Sequence, residues 1–268
     1  MPIRVVVTGA TGKMSREVLN AVERAPEFQP VGAVSRSAGS VSLTLPSGST
    51  TVPVAADCAQ LLERVKPDVL IDFTNAEAAV HYARIALSQG VAVVTGSTGL
   101  SEADLAELRD LSQSSQTGVV VAPNFALGAV LMTHLARVAA PFFSHAEIIE
   151  FHHDQKADAP SGTSLATARA MVQARGGPFE QASTRKETLA GTRGGCLDGI
   201  TIHSVRLPGF VAHQEVIFGG TGQTLTIRHD SIGRESFMPG VLLAPGRSPC
   251  ARNSCWVWIS YYLCRRAT

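Results

Sequence analysis

The sequence predicts an α/β protein in two parts: a parallel-sheet domain with helices on both faces over residues 1–125, and an α+β domain over 126–235 whose open sheet is largely antiparallel. Three observations predict this. Apolar, β-rich runs alternate with helix-like stretches from residue 3 to 125, the rhythm of a sheet built by strand-helix-strand crossovers. Those runs are continuously apolar, as strands buried on both faces require. From about residue 146 the rhythm changes to longer segments in which apolar and polar residues alternate.

Taken in order, IRVVVTG (3–9), PVGAVS (30–35), DVLIDFT (68–74), VAVVTGS (91–97) and GVVVAPN (118–124) read as strands. Between them KMSREVLNAVER (13–24), AEAAVHYARIALSQG (76–90) and SEADLAELRDLSQSS (101–115) carry helical periodicity. In the second part EIIEF (147–151) is a strand and SLATARAMVQARG (164–176) a helix. GITIHSVRLPG (199–209), AHQEVIFGG (212–220) and QTLTIRHDS (223–231) are strands, with GGTGQ (219–223) as a hairpin turn. Their broad sheet surface is suited to meeting another subunit.

Composition narrows the function classes. The chain has 268 residues, 45% of them hydrophobic and 17% charged, and a net charge of +1, which gives no electrostatic case for nucleic acid or an anionic membrane. The N-terminus MPIRVVVTGATG lacks the basic and long apolar regions of a signal peptide. The uncharged run SCWVWISYYLC (254–264) is far short of the about 20 residues that span a bilayer, so a cytoplasmic location is expected. Cysteines 58, 196, 250, 255 and 264 form no CxxC pair, and reduced thiols are expected.

The last 24 residues, 245–268, break with everything before them. They hold three of the five Cys, both Trp, two of the three Tyr, four Arg and no acidic residue, leaving 19 basic against 22 acidic residues, a net −3, in the first 244. They show neither helical period nor strand alternation. A reading-frame shift near the end of the coding sequence would produce such a tail; an aromatic packing segment is the competing reading.

Two motifs carry chemistry. The first strand runs into TGATGKMS, with Gly9 and Gly12 in a tight strand-to-helix turn where bare glycines let phosphate oxygens approach the helix amides. This marks the first domain as Rossmann-type, although the GxxGxM spacing is looser than GxGxxG. A P-loop fails, because it would need glycine at Val7 and Ser or Thr at Met14. After the second strand stands Arg36 where NAD sites usually have an acidic residue, so NADPH is expected, with NADH as the alternative. GSTG (96–99) and APNF (122–125) lie at the carboxyl ends of parallel strands, the edge where ligands gather in such sheets.

The second motif is EFHHDQKADAPSGTS (150–164). No metal site is expected, because adjacent His152 and His153 point apart and no Cys or HxxxH partner lies nearby. Lys156 adds a cation, and Pro160-Ser161-Gly162-Thr163 precedes a helix. There Ser161 or Thr163 can cap, and the amides of Gly162 and Thr163 are left for an anion. Two histidines, a lysine and helix amides suit a small substrate with more than one negative charge, and the same cations can donate protons.

These residues resemble the 4-hydroxy-tetrahydrodipicolinate reductase (dihydrodipicolinate reductase) family of the diaminopimelate and lysine pathway. The resemblance runs through VTGATGKM, DFT (72–74), GSTG, APNF, EIIEFHHDQKADAPSGTS and RLPGFVAHQEVIFG, over roughly residues 3–244. It implies reduction of a cyclic dicarboxylate by a nicotinamide cofactor and protonation of the neighbouring carbon by the enzyme. His152 would be the proton donor or acceptor and Lys156 the proton donor. His153, Ser161, Gly162 and Thr163 would bind substrate. Gly9, Ala10, Thr11, Gly12, Lys13, Met14, Arg36, Gly96, Ser97, Thr98, Ala122, Pro123, Asn124 and Phe125 would line the cofactor. A homotetramer built through the second domain's sheet is implied.

Three departures stand out. Ser15 replaces a further glycine of many members, and Ser97 a common threonine. Family chains also follow SFMPGVLLA (236–244) with a helix that packs on the cofactor domain; part of 236–268 would rejoin that domain, but here the helix is replaced. Two other readings remain: a non-catalytic NADP-binding redox regulator, which would need no HHDQK loop, and a reductase of another anionic imine, which the paired-anion site disfavours.

Overall fold

A computed structural model describes residues 1–36, 42–122 and 124–246; Pro123 and the atypical tail from residue 247 lie outside the described residues. The chain forms two compact units: Met1–Phe125 joined by the segment beginning at Phe237, and Ala126–Ser236.

The first unit begins with β1 (Ile3–Thr8), α1 (Lys13–Arg24), β2 (Phe28–Val34), β3 (Ser42–Thr44), β4 (Thr51–Ala55), α2 (Cys58–Val65) and β5 (Val69–Asp72). It continues through α3 (Ala76–Ser88), β6 (Ala92–Thr95), α4 (Glu102–Ser115) and β7 (Val119–Val121). The strands order as β3-β4-β2-β1-β5-β6-β7, parallel throughout except for the β3/β4 pair. The chain winds outward from β1 to β4 and then returns to place β5 on the other side of β1, so the crevice at the carboxyl ends of β1 and β5 is the topological switch point. Val5, Val6 and Val7 are wholly buried, as their unbroken apolar run requires.

Local sequence fixes where the helices start. Asn75 caps α3 by accepting from the Ala78 amide, and Ser101 with Asp104 forms a capping box on α4. The sequence reading left β3, β4 and α2 unassigned, since two short strands and an eight-residue helix give too few turns of periodicity to register.

The second unit holds α5 (Leu127–Ala139), β8 (His145–His152), α6 (Gly162–Arg175), β9 (Gly195–Leu197), β10 (Ile200–Arg206), β11 (Ala212–Gly220) and β12 (Gln223–Ser231). The strand order is β12-β11-β8-β10-β9. The β8/β10 pair is parallel and the others are antiparallel, because the chain leaves β8, crosses through α6 and returns in the same direction. Helix α5 was not foreseen; its LGAVLMTHLARVA run places Ala129, Val130, Met132, Thr133 and Ala136 inside. A final helix, α7 (Met238–Gly246), belongs to the first unit and packs on α1.

Register on one face of the second sheet sets up the site. Val216, Ile148 and Ile202 stand abreast and are buried, with Met171 of α6 in the same core. One step of two residues along, the row is Gln214, Glu150 and Ser204; one step further it is Ala212, His152 and Arg206. Replacing Ile148, which is fully buried, by Ala should lower unfolding stability by about 2–5 kcal/mol, read from the shift of the denaturant midpoint.

Candidate active site

The nucleotide turn is built from what glycine permits. Gly9 adopts φ +65°, and a Cβ there would lie 2.7 Å from Thr74 Cγ2, so conformation and space both demand glycine. The Gly12 amide closes the turn on the Gly9 carbonyl at 2.8 Å. Gly12 is the N-cap of α1, which has no side-chain cap and no acidic residue in its first turn. Below it the Ser15 hydroxyl is buried without a hydrogen-bond partner. An uncapped helix start above a glycine cradle and an orphaned hydroxyl fits a bound pyrophosphate.

Of the expected cofactor residues, Thr11, Gly12 and Lys13 are exposed and Met14 half-buried, whereas Ala10, Ala122 and Phe125 have buried side chains, so what these three can present is backbone. Pro123 lies outside the described residues and Asn124 is partly buried. Thr98 is exposed, but the Ser97 hydroxyl turns inward to Asp72 Oδ2 at 2.6 Å while its amide meets Thr95 Oγ1 at 3.1 Å. The GSTG loop therefore offers Thr98 outward, has Phe73 packed against Gly96, and is pinned through Ser97.

Arg36, exposed after β2, lines a cleft of about 650 Å³ with Asp57, Asn75, Glu77, His81 and Tyr82. Cys58 also lines it, and burial, then the nearby Asp57, push its thiol up to about 12, so it is no nucleophile near neutrality.

In the second unit the polar end of the sheet gathers the other residues. Glu150 is wholly buried, and it accepts from His152 Nδ1 through Oε2 and from Arg206 at 2.7 Å through Oε1. Burial opposes its ionisation, but the bonds from His152, Arg206 and Ser204 outweigh it and hold the carboxyl at about 2. Arg206 also donates to the Asp158 carbonyl at 2.8 Å, and Asp158 is the ion-pair partner of Lys156. That bond from Lys156 keeps the Asp158 carboxyl below its usual range. The Lys156 amide closes a turn on the His153 carbonyl at 3.2 Å, and His153 itself is exposed.

Ser161 caps α6 by accepting from the Ser164 amide at 3.2 Å, and its hydroxyl also meets Ser164 Oγ, which donates to Gln214 Oε1 at 2.8 Å. Of the two capping candidates, Ser161 is the one that caps the helix start. Gly162 is exposed, with open space where a side chain would stand. Among the described residues, no cluster of three or more His, Cys, Asp or Glu is placed to hold a metal ion, and no helix is long and apolar enough to cross a membrane.

Glu150, Arg206 and Gln214 were missed as site residues. A usable signal existed for Glu150: two residues before His152 on one strand, it shares that face.

The depressed carboxyl of Glu150 has a sign that can be tested. Its contribution is present above its ordinary value of 4.5 and disappears as pH falls toward about 2. Thermal melts from pH 5 to 2 should show that loss, and Glu150→Gln should flatten the corresponding part of the curve; an unchanged curve would contradict the ionised assignment.

Comparison with known proteins assigns both units to one family. Residues 3–125 match the family described as dihydrodipicolinate reductase, N-terminus, and residues 128–252 match dihydrodipicolinate reductase, C-terminus. The 4-hydroxy-tetrahydrodipicolinate reductase of Dehalococcoides mccartyi (strain CBDB1) is 52% identical over 243 residues, covering 91% of this chain and 92% of that protein. The protein of the same name from Geobacillus thermodenitrificans (strain NG80-2) is 50% identical over 246 residues, covering 91% and 93%. A solved structure, the dipicolinate-bound dihydrodipicolinate reductase from Paenisporosarcina sp. TG-14, superposes with a TM-score of 0.86 at 39% identity, covering 97% of this chain and 99% of that one. With both halves matched in order and half the residues shared over nine-tenths of its length, the chain belongs to the dihydrodipicolinate reductase family.

Proposed function

We propose that this chain reduces the cyclic dicarboxylate 4-hydroxy-tetrahydrodipicolinate to tetrahydrodipicolinate with NADPH. The observation that carries this is the grouping of His152, Lys156 and the start of α6 at the polar end of one sheet, with Glu150, Arg206 and Asp158 linking them. The name shared by the relatives, and the dipicolinate in the solved Paenisporosarcina structure, support a ring with two carboxylates as the ligand.

Each group has a task that its surroundings allow. Glu150 engages His152 Nδ1, which leaves Nε2 as the nitrogen for substrate. His153 and the amides of Gly162 and Thr163 hold carboxylates, and Ser161 shapes the helix start that presents those amides. Lys156 donates the proton to the ring carbon; a dicarboxylate arriving beside it competes with Asp158 for its ammonium and draws it toward the substrate. A reduced nicotinamide bound by the first unit supplies the hydride. Thr11, Gly12, Lys13 and Met14 hold its pyrophosphate at the start of α1, and Gly96, Thr98 and the 122–125 segment, Asn124 included, line the nicotinamide end. Arg36 takes the 2′-phosphate from the wall of its cleft.

The protein acts in the cytoplasm as a homotetramer built through the second unit's sheet. The surface from Gln223 to Thr226 on β12, Leu225 among them, is exposed and suits a partner subunit. A regulator without catalysis would have no use for a lysine and an oriented histidine beside an anion site.

Lys156→Ala should lower kcat by about 10²-fold or more while the NADPH dissociation constant stays within about twofold, since only proton donation is removed; an equal loss of NADPH binding in a nucleotide titration would contradict the role. Arg36→Ala should raise the KM for NADPH about tenfold and leave that for NADH nearly unchanged, the size of one lost charge-assisted contact. Equal effects on both cofactors in steady-state assays would remove the 2′-phosphate assignment.

A further inference from the structure

We propose that the tripeptide Asp72-Phe73-Thr74 is a positioning hub that locks the three cofactor loops of the first unit into one geometry, with the Asp72 carboxylate at its centre. The proposal rests on the cofactor reading above and deepens it.

Asp72 ends β5 at the switch point and is wholly buried. Its Oδ1 accepts from Thr8 Oγ1 at 2.6 Å and Thr74 Oγ1 at 2.7 Å; its Oδ2 accepts from Thr95 Oγ1 at 2.9 Å and Ser97 Oγ at 2.6 Å. A carboxylate has about four lone-pair sites, and four hydroxyls fill them. Thr8 leads directly into the Gly9 turn, and Thr95 and Ser97 flank Gly96. One side chain therefore ties together the ends of the neighbouring strands β1, β5 and β6.

The two following residues extend the brace by packing. The Thr74 methyl occupies the space beside Gly9 that a side chain would need. The Phe73 ring fills the place of a side chain on Gly96, and it stacks at a tilt on Phe125 with ring centres 5.5 Å apart. Three consecutive residues thus touch the 9–14 turn, the 96–99 loop and the end of the 122–125 loop.

The fold alone gives no reason for this choice. At the end of a buried parallel strand an apolar side chain is the ordinary occupant, and a carboxylate there must recover the loss of its hydration through its partners. Here three of the four partners, Thr8, Thr95 and Ser97, lie on a cofactor loop or on the strand that launches it, and the fourth, Thr74, packs against Gly9. Asp72 acts through these loops and touches neither cofactor nor substrate, so it is a positioning residue.

The test uses the full chain. Asp72→Asn keeps the shape but turns one acceptor oxygen into a donor facing two hydroxyls. Thr74→Val keeps the methyl beside Gly9 and removes one donor, and Thr95→Val removes another. The KM for NADPH should rise about tenfold in Asp72→Asn and by a smaller factor in the other two, in line with one or two compromised hydrogen bonds. At saturating NADPH, kcat should change less than about threefold, and the inhibition constant of dipicolinate should stay within about twofold. Thr74→Ser, which keeps the hydroxyl and loses the methyl, should retain the hydrogen bond and loosen only the Gly9 turn, giving a smaller rise than Asp72→Asn. If Asp72→Asn does not fold, Thr74→Val and Thr95→Val decide the matter. An unchanged KM for NADPH in folded variants, or a parallel loss of dipicolinate inhibition, would overturn the hub. Failure of the unaltered chain to bind either NADPH or NADH would instead overturn the cofactor reading itself.

Discussion

A carboxylate that water does not reach anchors the working end of each unit: Asp72 at the switch point of the parallel sheet and Glu150 on the central strand of the mixed one. Burial makes an ionised carboxylate expensive unless its lone pairs are filled, so every group that fills them is held in place by that demand. The two sites meet it with different donors. Asp72 takes four neutral hydroxyls, which ties loops together without adding charge. Glu150 takes a histidine, an arginine and a serine hydroxyl, which orients the cationic side of the second unit and carries its own carboxyl down to about 2.

Glu150 also transmits position along the chain. Arg206 bridges its carboxylate to the Asp158 carbonyl, and Asp158 holds Lys156, so the loop bearing the lysine is referenced to the same strand as the histidine. The sheet beneath explains why this cluster sits where it does. Each step of two residues along β8 carries the same face from Ile148, through Glu150, to His152, from apolar core to polar rim. Gln214, level with Glu150, joins that face to the start of α6 through Ser164 and Thr167, so strand and helix present their groups from one rigid base.

Much of this was legible in the sequence where the signal is local. The glycine turn, the continuous strands, the helix start after Pro160 and the adjacent cations lie within short windows whose residue types have few other uses. What was not legible depends on partners far apart. Asp72 meets Thr8 across 64 positions and Ser97 across 25, and no local pattern tells that an aspartate ending a strand will face inward rather than toward solvent. The cap by Ser161 was legible for the opposite reason, since it stands directly before the helix, whereas nothing local shows that the Ser97 hydroxyl meets Asp72. The parallel pairing of β8 with β10 was hidden for the same reason, since alternation reports which face a strand buries and not the direction of its neighbour.

The starts of α1 and α6 are two settings of a single device. Both helices open on glycine, at Gly12 as the cap residue and at Gly162 as the first helical residue, so that an anion can come close to the amides of the first turn. In α6 the Ser161 hydroxyl accepts from the Ser164 amide and the Gly162 amide faces the Asp158 carboxylate, so under the proposed reading a substrate carboxylate takes the place of Asp158 there. In α1 no side chain caps the helix start, which suits the proposed pyrophosphate, a larger anion with more oxygens to satisfy. One helix start is capped by a side chain and faced by a carboxylate of its own chain, and the other is bare, so the two present different sets of amides.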